Sequence, residues 1–159
     1  MDYNYILEWF CYGDRDLLVA EHSLSLQPQP YEIICYLCQQ SAEKYMKGFL
    51  FYHGVKPPKT HDLEKLCNIC VEYNEKFDNM YDQCETLSQY GVQPHYPYGM
   101  ELDEYQMKKA LDYAQQIKEF EPIISIRKIT EQALKQETDV EEIADSTVTQ
   151  EENIEEIIE

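Results

Sequence analysis

Residues 39–63, QQSAEKYMKGFLFYHGVKPPKTHDL, decide the fold, because they predict the second half of a long helix, a sharp turn and the start of another helix. The apolar side chains of the first helix recur at steps of three and four, which predicts one buried face. The polar side chains Gln40, Lys44 and Lys47 share a second face. Glu43 stands four residues before Lys47, the favourable order for an ion pair within a helix.

The turn that follows is predicted from Gly54, which suits a helix C-terminus, and from two prolines that cannot continue a helix. Thr60 is the predicted N-cap of the next helix, which would begin at His61 and Asp62. Because the turn is short, we expect the two helices to be antiparallel neighbours.

Outside this stretch, the pattern extends the hairpin into an all-α, up-and-down bundle of four main helices. Apolar periodicity predicts long helices over residues 5–26, 31–53, 62–76 and 103–126, with a short extra helix over residues 79–87. The segment SQYGVQPHYPYGM, residues 88–100, predicts an ordered Tyr/Pro-rich crossover. The side chains expected in the core are Ile6, Phe10, Leu17, Leu37, Ala42, Phe49, Leu66, Ala110, Ala114 and Ile117.

Composition predicts one domain followed by a charged tail. The chain has 159 residues, 43% of them apolar, which is enough for a single core. The formal net charge is −18, and residues 128–159 carry half of it, with eleven acidic side chains and two lysines. We therefore divide the chain into a helical domain, residues 1–127, and an acidic, largely flexible C-terminal tail, residues 128–159.

The excess of acidic over basic side chains argues against broad binding to nucleic acid or to an anionic membrane. The N-terminal sequence MDYNYILEWF lacks the basic start and apolar core of a signal peptide. No apolar run has the length that a bilayer-spanning helix needs. We therefore expect a cytoplasmic protein in which the six cysteines are reduced.

Two Cys-x-x-Cys pairs, Cys35/Cys38 and Cys67/Cys70, have the spacing of zinc ligands. In an antiparallel hairpin, however, the two pairs lie at levels about 15 Å apart, because each helical residue adds about 1.5 Å of rise. We interpret these cysteines as small buried apolar side chains. The histidines show no metal-binding spacing, so we expect neither a metal nor a cofactor.

The central stretch resembles the HEPN domain family, which consists of small helical domains of bacteria, archaea and some eukaryotes. The matching residues are Gln40, Ala42, Glu43, Lys44, Lys47, Pro57, Lys59, Thr60, His61, Asp62 and Leu63. A weaker match in the first helix consists of Trp9, Gly13, Asp16 and Ala20. With such weaker similarity on both sides, the resemblance extends over residues 5–125.

The resemblance implies a binding module for nucleotides, often a homodimer. It also implies a partner, because HEPN domains are often paired with a small nucleotidyltransferase, sometimes as a toxin and antitoxin. This chain has no nucleotidyltransferase signature, so that partner would be a separate protein. We expect the first helix and the Tyr-rich crossover to form the contact between two copies.

The resemblance does not favour an enzyme. HEPN ribonucleases carry an Arg followed, after four to six residues, by a His near the start of the last long helix. Here His95 stands where that Arg is usual, and no His follows it within reach. Arg15 and His22 have the spacing but belong to the first helix. No catalytic residue is therefore assigned.

One local basic patch stands out in the acidic chain. Lys44 and Lys47 project from one helix face, and Lys59 and His61 flank a predicted helix N-terminus, whose free N–H groups favour an anion. A nucleotide or another phosphate-bearing ligand would fit such a patch. The alternative is a solvated face whose lysines form surface ion pairs. The predicted ligand-binding residues are Lys44, Lys47, Lys59, His61, His95 and Tyr96.

Three functions remain open from the sequence. The first is a non-catalytic binding module that binds a nucleotide or acts together with a separate nucleotidyltransferase. The second is a metal-independent ribonuclease that uses His61 or His95 in an unusual pairing. The third is a structural interaction domain whose acidic tail meets a basic partner.

Overall fold

The computed structural model describes residues 1–91 and 101–158, with side chains through residue 150. Within these ranges the protein is a bundle of α-helices without a β-strand, which confirms the predicted all-α class. The predicted crossover lies outside the described residues from position 92 onward. The helices are α1 (Tyr3–His22), α2 (Tyr31–Tyr52), α3 (Leu63–Tyr73), α4 (Tyr81–Ser88), α5 (Glu104–Lys118) and α6 (Glu121–Ile158), with short 3₁₀ helices at Ser23–Ser25 and Glu75–Met80.

Helix α2 is the centre of the bundle, since it packs against all five other α-helices. Its approach to α1 is especially close, because glycines stand at the crossing. A Cβ atom at Gly48 would lie 3.1 Å from both Phe10 and Trp9 of α1. A Cβ atom at Gly13 of α1 would lie 2.8 Å from the ring of Tyr45 on α2. The two glycines therefore allow α1 and α2 to pack at short range.

The predicted core is confirmed except at Leu37. The other nine predicted side chains are at most 2% exposed. Leu37 is only partly buried and packs against the edge of the core. The inward face of α2 runs instead through Ile34, Cys38 and Ala42, all fully buried, and Leu37 lies at the margin of that face.

Helix α3 begins at Leu63, later than predicted, because Asp62 rather than Thr60 is its N-cap. The Asp62 carboxylate accepts a hydrogen bond from the backbone N–H of Lys65 at 3.1 Å. Thr60 shapes the turn before the helix, since its hydroxyl oxygen accepts a hydrogen bond from the backbone N–H of Asp62 at 3.1 Å. A carboxylate three residues before its donor is the stronger cap, and it sets the start of the helix.

The prediction that α2 and α3 are antiparallel neighbours is wrong, because the two helices run in the same direction. His61, just before α3, contacts Gln39 in the middle of α2, whereas Tyr73 at the end of α3 lies 5.3 Å, ring centre to ring centre, from His53 at the end of α2. The segment between the helices therefore runs back along α2 before α3 begins.

The prediction of a single helix over residues 103–126 is wrong, because the chain breaks at Glu119 and Phe120. Helix α5 starts as predicted at an Asp103 cap, whose carboxylate accepts a hydrogen bond from the backbone N–H of Gln106 at 2.8 Å. Pro122 explains the break, since its ring cannot follow a preceding helical turn but is tolerated in the first turn of α6.

Helix α6 continues through the part of the chain predicted as a flexible tail. It is helical as far as Ile158, and Thr130, beyond the predicted domain boundary, is fully buried. The flexibility of the tail stays a prediction. Although α6 is long, no helix within the described ranges is both long and apolar enough to cross a membrane.

An ion pair fixes the start of α6 to α1 and α2. The Asp14 carboxylate accepts hydrogen bonds from Arg127 at 2.6 and 2.9 Å and from the Tyr45 hydroxyl at 2.6 Å. The Arg127 guanidinium also lies 5.3 Å from the ring centre of Phe10. Burial acts to raise the pKa of the Asp14 carboxyl, but the hydrogen bonds from Arg127 and Tyr45 and the charges of Arg127 and Lys118 outweigh it and lower that pKa.

Two neighbouring leucines of α1 test the register of the core. Leu17 is 2% exposed and Leu18 is 54% exposed. Leu17→Ala should lower the free energy of unfolding by about 2–5 kcal/mol, because it leaves a cavity in the core. Leu18→Ala, measured by the same urea titration, should change it by less than about 0.5 kcal/mol. Equal losses would contradict the orientation of α1.

Acid titration tests the Asp14 ion pair. Asp14→Asn keeps the shape of the side chain and should cost about 2 kcal/mol of stability at neutral pH, through weaker hydrogen bonds to Arg127 and Tyr45. The folded-state pKa of Asp14 is lowered from its ordinary value of 3.8. The extra stability of the wild type over Asp14→Asn is therefore complete when the pH is above 3.8, and it is lost as the pH falls through the folded-state pKa. An advantage that stayed constant into strong acid would contradict this assignment.

Candidate functional site

A buried carboxylate, Glu43 of α2, organises the predicted basic patch. Its side chain is 7% exposed. It accepts hydrogen bonds from the Lys47 ammonium at 2.7 Å, from the Gln39 amide at 3.1 Å and from Nδ1 of His61 at 3.0 Å. A buried charge requires such partners, because without them burial costs several kcal/mol. Glu43 therefore holds together side chains from both sides of the turn after α2.

The backbone before α3 is tied to the same face of α2. The Gln39 amide donates a hydrogen bond to the carbonyl oxygen of His61 at 2.9 Å. Nδ1 of the His61 ring faces the Glu43 carboxylate, and a hydrogen bond to an ionised carboxylate requires the proton on that nitrogen. The His61 side chain is nevertheless 69% exposed, so its ring lies at the rim of this cluster.

Both predicted helix lysines are held in ion pairs beside α1. Lys44 pairs with Asp16 of α1, and the two side chains are 24% and 20% exposed. Lys47 pairs with Glu43, and its ammonium lies 5.9 Å from the ring centre of Trp9. These pairs differ from ordinary surface pairs, because they are largely shielded from solvent and fix the positions of both ammonium groups.

A cavity of about 200 Å³ lies against α1 and reaches Lys44. Trp9, in its wall, stacks on Phe51 of α2, with ring centres 5.7 Å apart and planes inclined by 20°. The Trp9 indole N–H has no hydrogen-bond partner among the described residues. The cavity is smaller than typical ligand pockets of roughly 300–1,000 Å³, so it suits one ring system. Its lining consists of Tyr5, Glu8, Trp9, Tyr12 and Lys44.

The structure brings together only part of the predicted set. Lys47 and His61 contact Glu43, and Lys44 lines the neighbouring cavity. Lys59 is exposed in the turn. Asp62 occupies the N-terminus of α3, which reduces its attraction for an anion. The roles of Lys59 and His61 in binding stay predictions. The predicted residues His95 and Tyr96 lie outside the described residues.

Sequence reasoning missed the walls of the cavity and the partners of the lysines. Tyr5, Trp9 and Tyr12 follow one another at steps of four and three, so they share one face of α1 beside its apolar stripe. That spacing was a usable signal. The pairing of Lys44 with Asp16 joins residues from two helices, so no local pattern indicates it.

The other residues singled out from the sequence do not join this cluster. Arg15 and His22 are both exposed on α1, and the Arg15 guanidinium lies 5.0 Å from the ring centre of Tyr12. Both Cys-x-x-Cys pairs are buried with free thiols. Burial raises the pKa of the Cys35 thiol to about 12. Among the described residues, no group of three or more His, Cys, Asp or Glu side chains is placed to hold a metal ion.

Comparison with known proteins relates the chain to one family. The model of the HEPN domain matches residues 6–124. A crystal structure of TT1696 from Thermus thermophilus is similar, with a TM-score of 0.66 and 22% identity over 77% of this chain and 98% of that chain. ST0689, described as an archaeal HEPN homologue, has a TM-score of 0.56 and 20% identity over 79% of this chain and 97% of that chain. No curated protein matched the sequence.

A conservative substitution tests the Glu43 cluster. Glu43→Gln should destabilise the protein by about 3 kcal/mol or more, because it leaves the Lys47 ammonium, 11% exposed, without its counter-charge. The matched control is Glu104→Gln, which breaks an exposed pair of the same spacing with Lys108 on α5. The control should leave the melting temperature nearly unchanged. Similar melting temperatures for both variants would contradict the organising role of Glu43.

Proposed function

We propose that this protein, which belongs to the HEPN domain family, is a non-catalytic module that binds a nucleotide or a similar planar, phosphate-bearing ligand in the cavity beside Trp9. The observation that carries the proposal is the juxtaposition of an aromatic wall on α1 with the fixed ammonium groups of Lys44 and Lys47 on α2.

The aromatic wall supplies the contacts with the ring system of the ligand. Tyr5, Trp9 and Tyr12 offer ring faces and edges to a ligand of one ring system, and stacking of a base on an aromatic side chain contributes about 1–3 kcal/mol. Trp9 is held in place by its contact with Phe51, so little side-chain freedom is lost on binding. The Glu8 carboxylate in the same wall is an acceptor suited to an exocyclic amine.

The two lysines supply the contacts with the phosphate group of the ligand. A phosphate group near Lys44 gains a charge-assisted hydrogen bond, but it competes with Asp16 for the same ammonium. Lys47 is likewise shared with Glu43. We therefore expect weak binding that falls further with added salt, because few charge contacts carry it.

The proposal includes a protein partner. HEPN domains are often paired with a small nucleotidyltransferase, and the sequence of this chain carries no such signature. A separate nucleotidyltransferase that acts on the same nucleotide is therefore the partner we propose. A gene for such an enzyme next to the gene for this protein would support the pairing.

The single tryptophan makes the binding test direct. Trp9 is the only tryptophan, so its indole N–H gives one signal in a proton–nitrogen correlation spectrum. Nucleoside monophosphates at millimolar concentration should shift that signal. Lys44→Ala should raise the dissociation constant about threefold to tenfold, because one charge-assisted contact is lost. Lys44 is the better target, since replacing Lys47 would leave the buried Glu43 carboxylate without its ammonium partner.

Two controls separate the cavity from general charge effects. Lys108→Ala removes a lysine from an ion pair on α5 and should not change the dissociation constant. Tyr12→Ala should weaken binding of the unphosphorylated nucleoside as well, whereas Tyr105→Ala, at a 71% exposed tyrosine, should not. No shift of the indole signal at any nucleotide concentration would contradict the proposal. RNA cleavage by the same sample, lost in His61→Ala, would support the ribonuclease instead.

A further inference from the structure

Helix α6 extends well beyond the part of the chain that matches the family. The match ends at residue 124, whereas the helix runs to Ile158. Along this extension Val140 and Ile143 are 65% and 66% exposed. A helix that leaves the bundle gains little stability from its own propensity, because helices in water depend on packing of an apolar face. These side chains therefore need a partner surface.

One row of side chains along the extension has the spacing of a coiled-coil repeat, with polar residues at three of its nine positions. Steps of four and three residues alternate without interruption, and the sequence continues the same alternation at Gln150, Ile154 and Ile157. This spacing, a mean of about 3.5 residues, is typical of a left-handed coiled coil. We call this row the α6 seam. Its described members are Ile129, Ala133, Gln136, Val140, Ile143, Thr147 and Gln150.

The start of the seam packs against the bundle. Ile126 lies on the same row, three residues before Ile129, and is 7% exposed. Ala133 is half-buried and lines a cavity beside Tyr3 of α1. Val140, farther along the row, is 65% exposed. The bundle therefore anchors the first turns of α6 and leaves the seam open from Val140 onward.

The charges on α6 indicate which partner fits. Four of the six acidic side chains in residues 128–150 lie on the outer positions of the repeat, away from the seam. In a parallel pair of identical helices, the residues that directly precede Ala133, Val140 and Thr147 lie beside the second copy. Each of them faces the residue that is five positions later in the sequence of that copy. Every acidic side chain that flanks the seam then faces an uncharged one. Among the described side chains, the facing positions are Gln132 with Glu137 and Asp139 with Ala144.

We propose that the α6 seam pairs with the same seam of a second copy, so that two chains form a parallel two-stranded coiled coil. The polar members Gln136, Thr147 and Gln150 weaken such a pair but fix its register. The dimer therefore dissociates on dilution. This contact differs from the one expected from sequence, on α1 and the crossover, and it does not depend on the ligand proposed above.

Sedimentation velocity over protein concentrations of about 1–100 µM tests the contact, because mass action makes a dimer depend on concentration. The full-length protein should change from monomer to dimer within this range. Ile143→Lys should raise the dissociation constant at least tenfold, since it places two like charges in the seam. Val148→Lys is the matched control, at another apolar side chain of α6 that is 54% exposed but lies off the seam, and it should leave the constant unchanged.

A monomer at every concentration would overturn the proposal, and so would equal effects of the two lysine variants. Cross-linking tests the direction of the helices. In a Cys11→Ser background, which removes an exposed thiol, Ile143→Cys should give a covalent dimer with a short bismaleimide. Asp145→Cys, on the outer face of the repeat, should not. Failure at position 143, or equal yields at both positions, would overturn the parallel pairing.

Discussion

The carboxylate of Glu43 is the constraint on which the described structure depends. It lies almost fully inside the bundle on α2, and three donors, from Gln39, Lys47 and His61, surround it. Because a buried charge without partners is costly, the chain must bring these donors to one place. The segment after α2 therefore runs back along that helix as far as Gln39, and α3 then runs parallel to α2, so that Tyr73 lies beside His53.

A second constraint, the close crossing of α1 and α2, turns this structural cluster into a candidate site. Without side chains at Gly13 and Gly48, the two helices approach closely enough for Lys47 to lie over Trp9. The same approach lets Lys44 reach Asp16. An aromatic face and two fixed ammonium groups are thus brought into one place by packing, without a dedicated loop. The residues of the candidate site are therefore also residues that hold α1 and α2 together.

Much of the fold was predictable from the sequence, because burial depends on local periodicity. Ile6, Phe10 and Leu17 are spaced as one helical face, and the structure buries all three. The break before α6 was missed because apolar residues continue in phase through Ile117 and Phe120, although Pro122 was a signal against one continuous helix.

The candidate site was only half predictable. Lys44, Lys47 and Glu43 were visible as a helix face, since their spacing is local. Their partners on α1 were not, because an ion pair such as that of Lys44 with Asp16 depends on how two helices cross. Likewise, the exposure of the α6 seam follows from where the bundle ends, which periodicity alone does not show.

We propose that one ligand contacts both the aromatic wall of α1 and Lys44. A crystal structure of the protein soaked with adenosine monophosphate shows whether it does. We expect the base against the rings of Trp9 and Tyr12 and the phosphate within hydrogen-bond distance of the Lys44 ammonium. A nucleotide bound elsewhere on the bundle, or a base in the cavity with its phosphate directed away from Lys44, would contradict it.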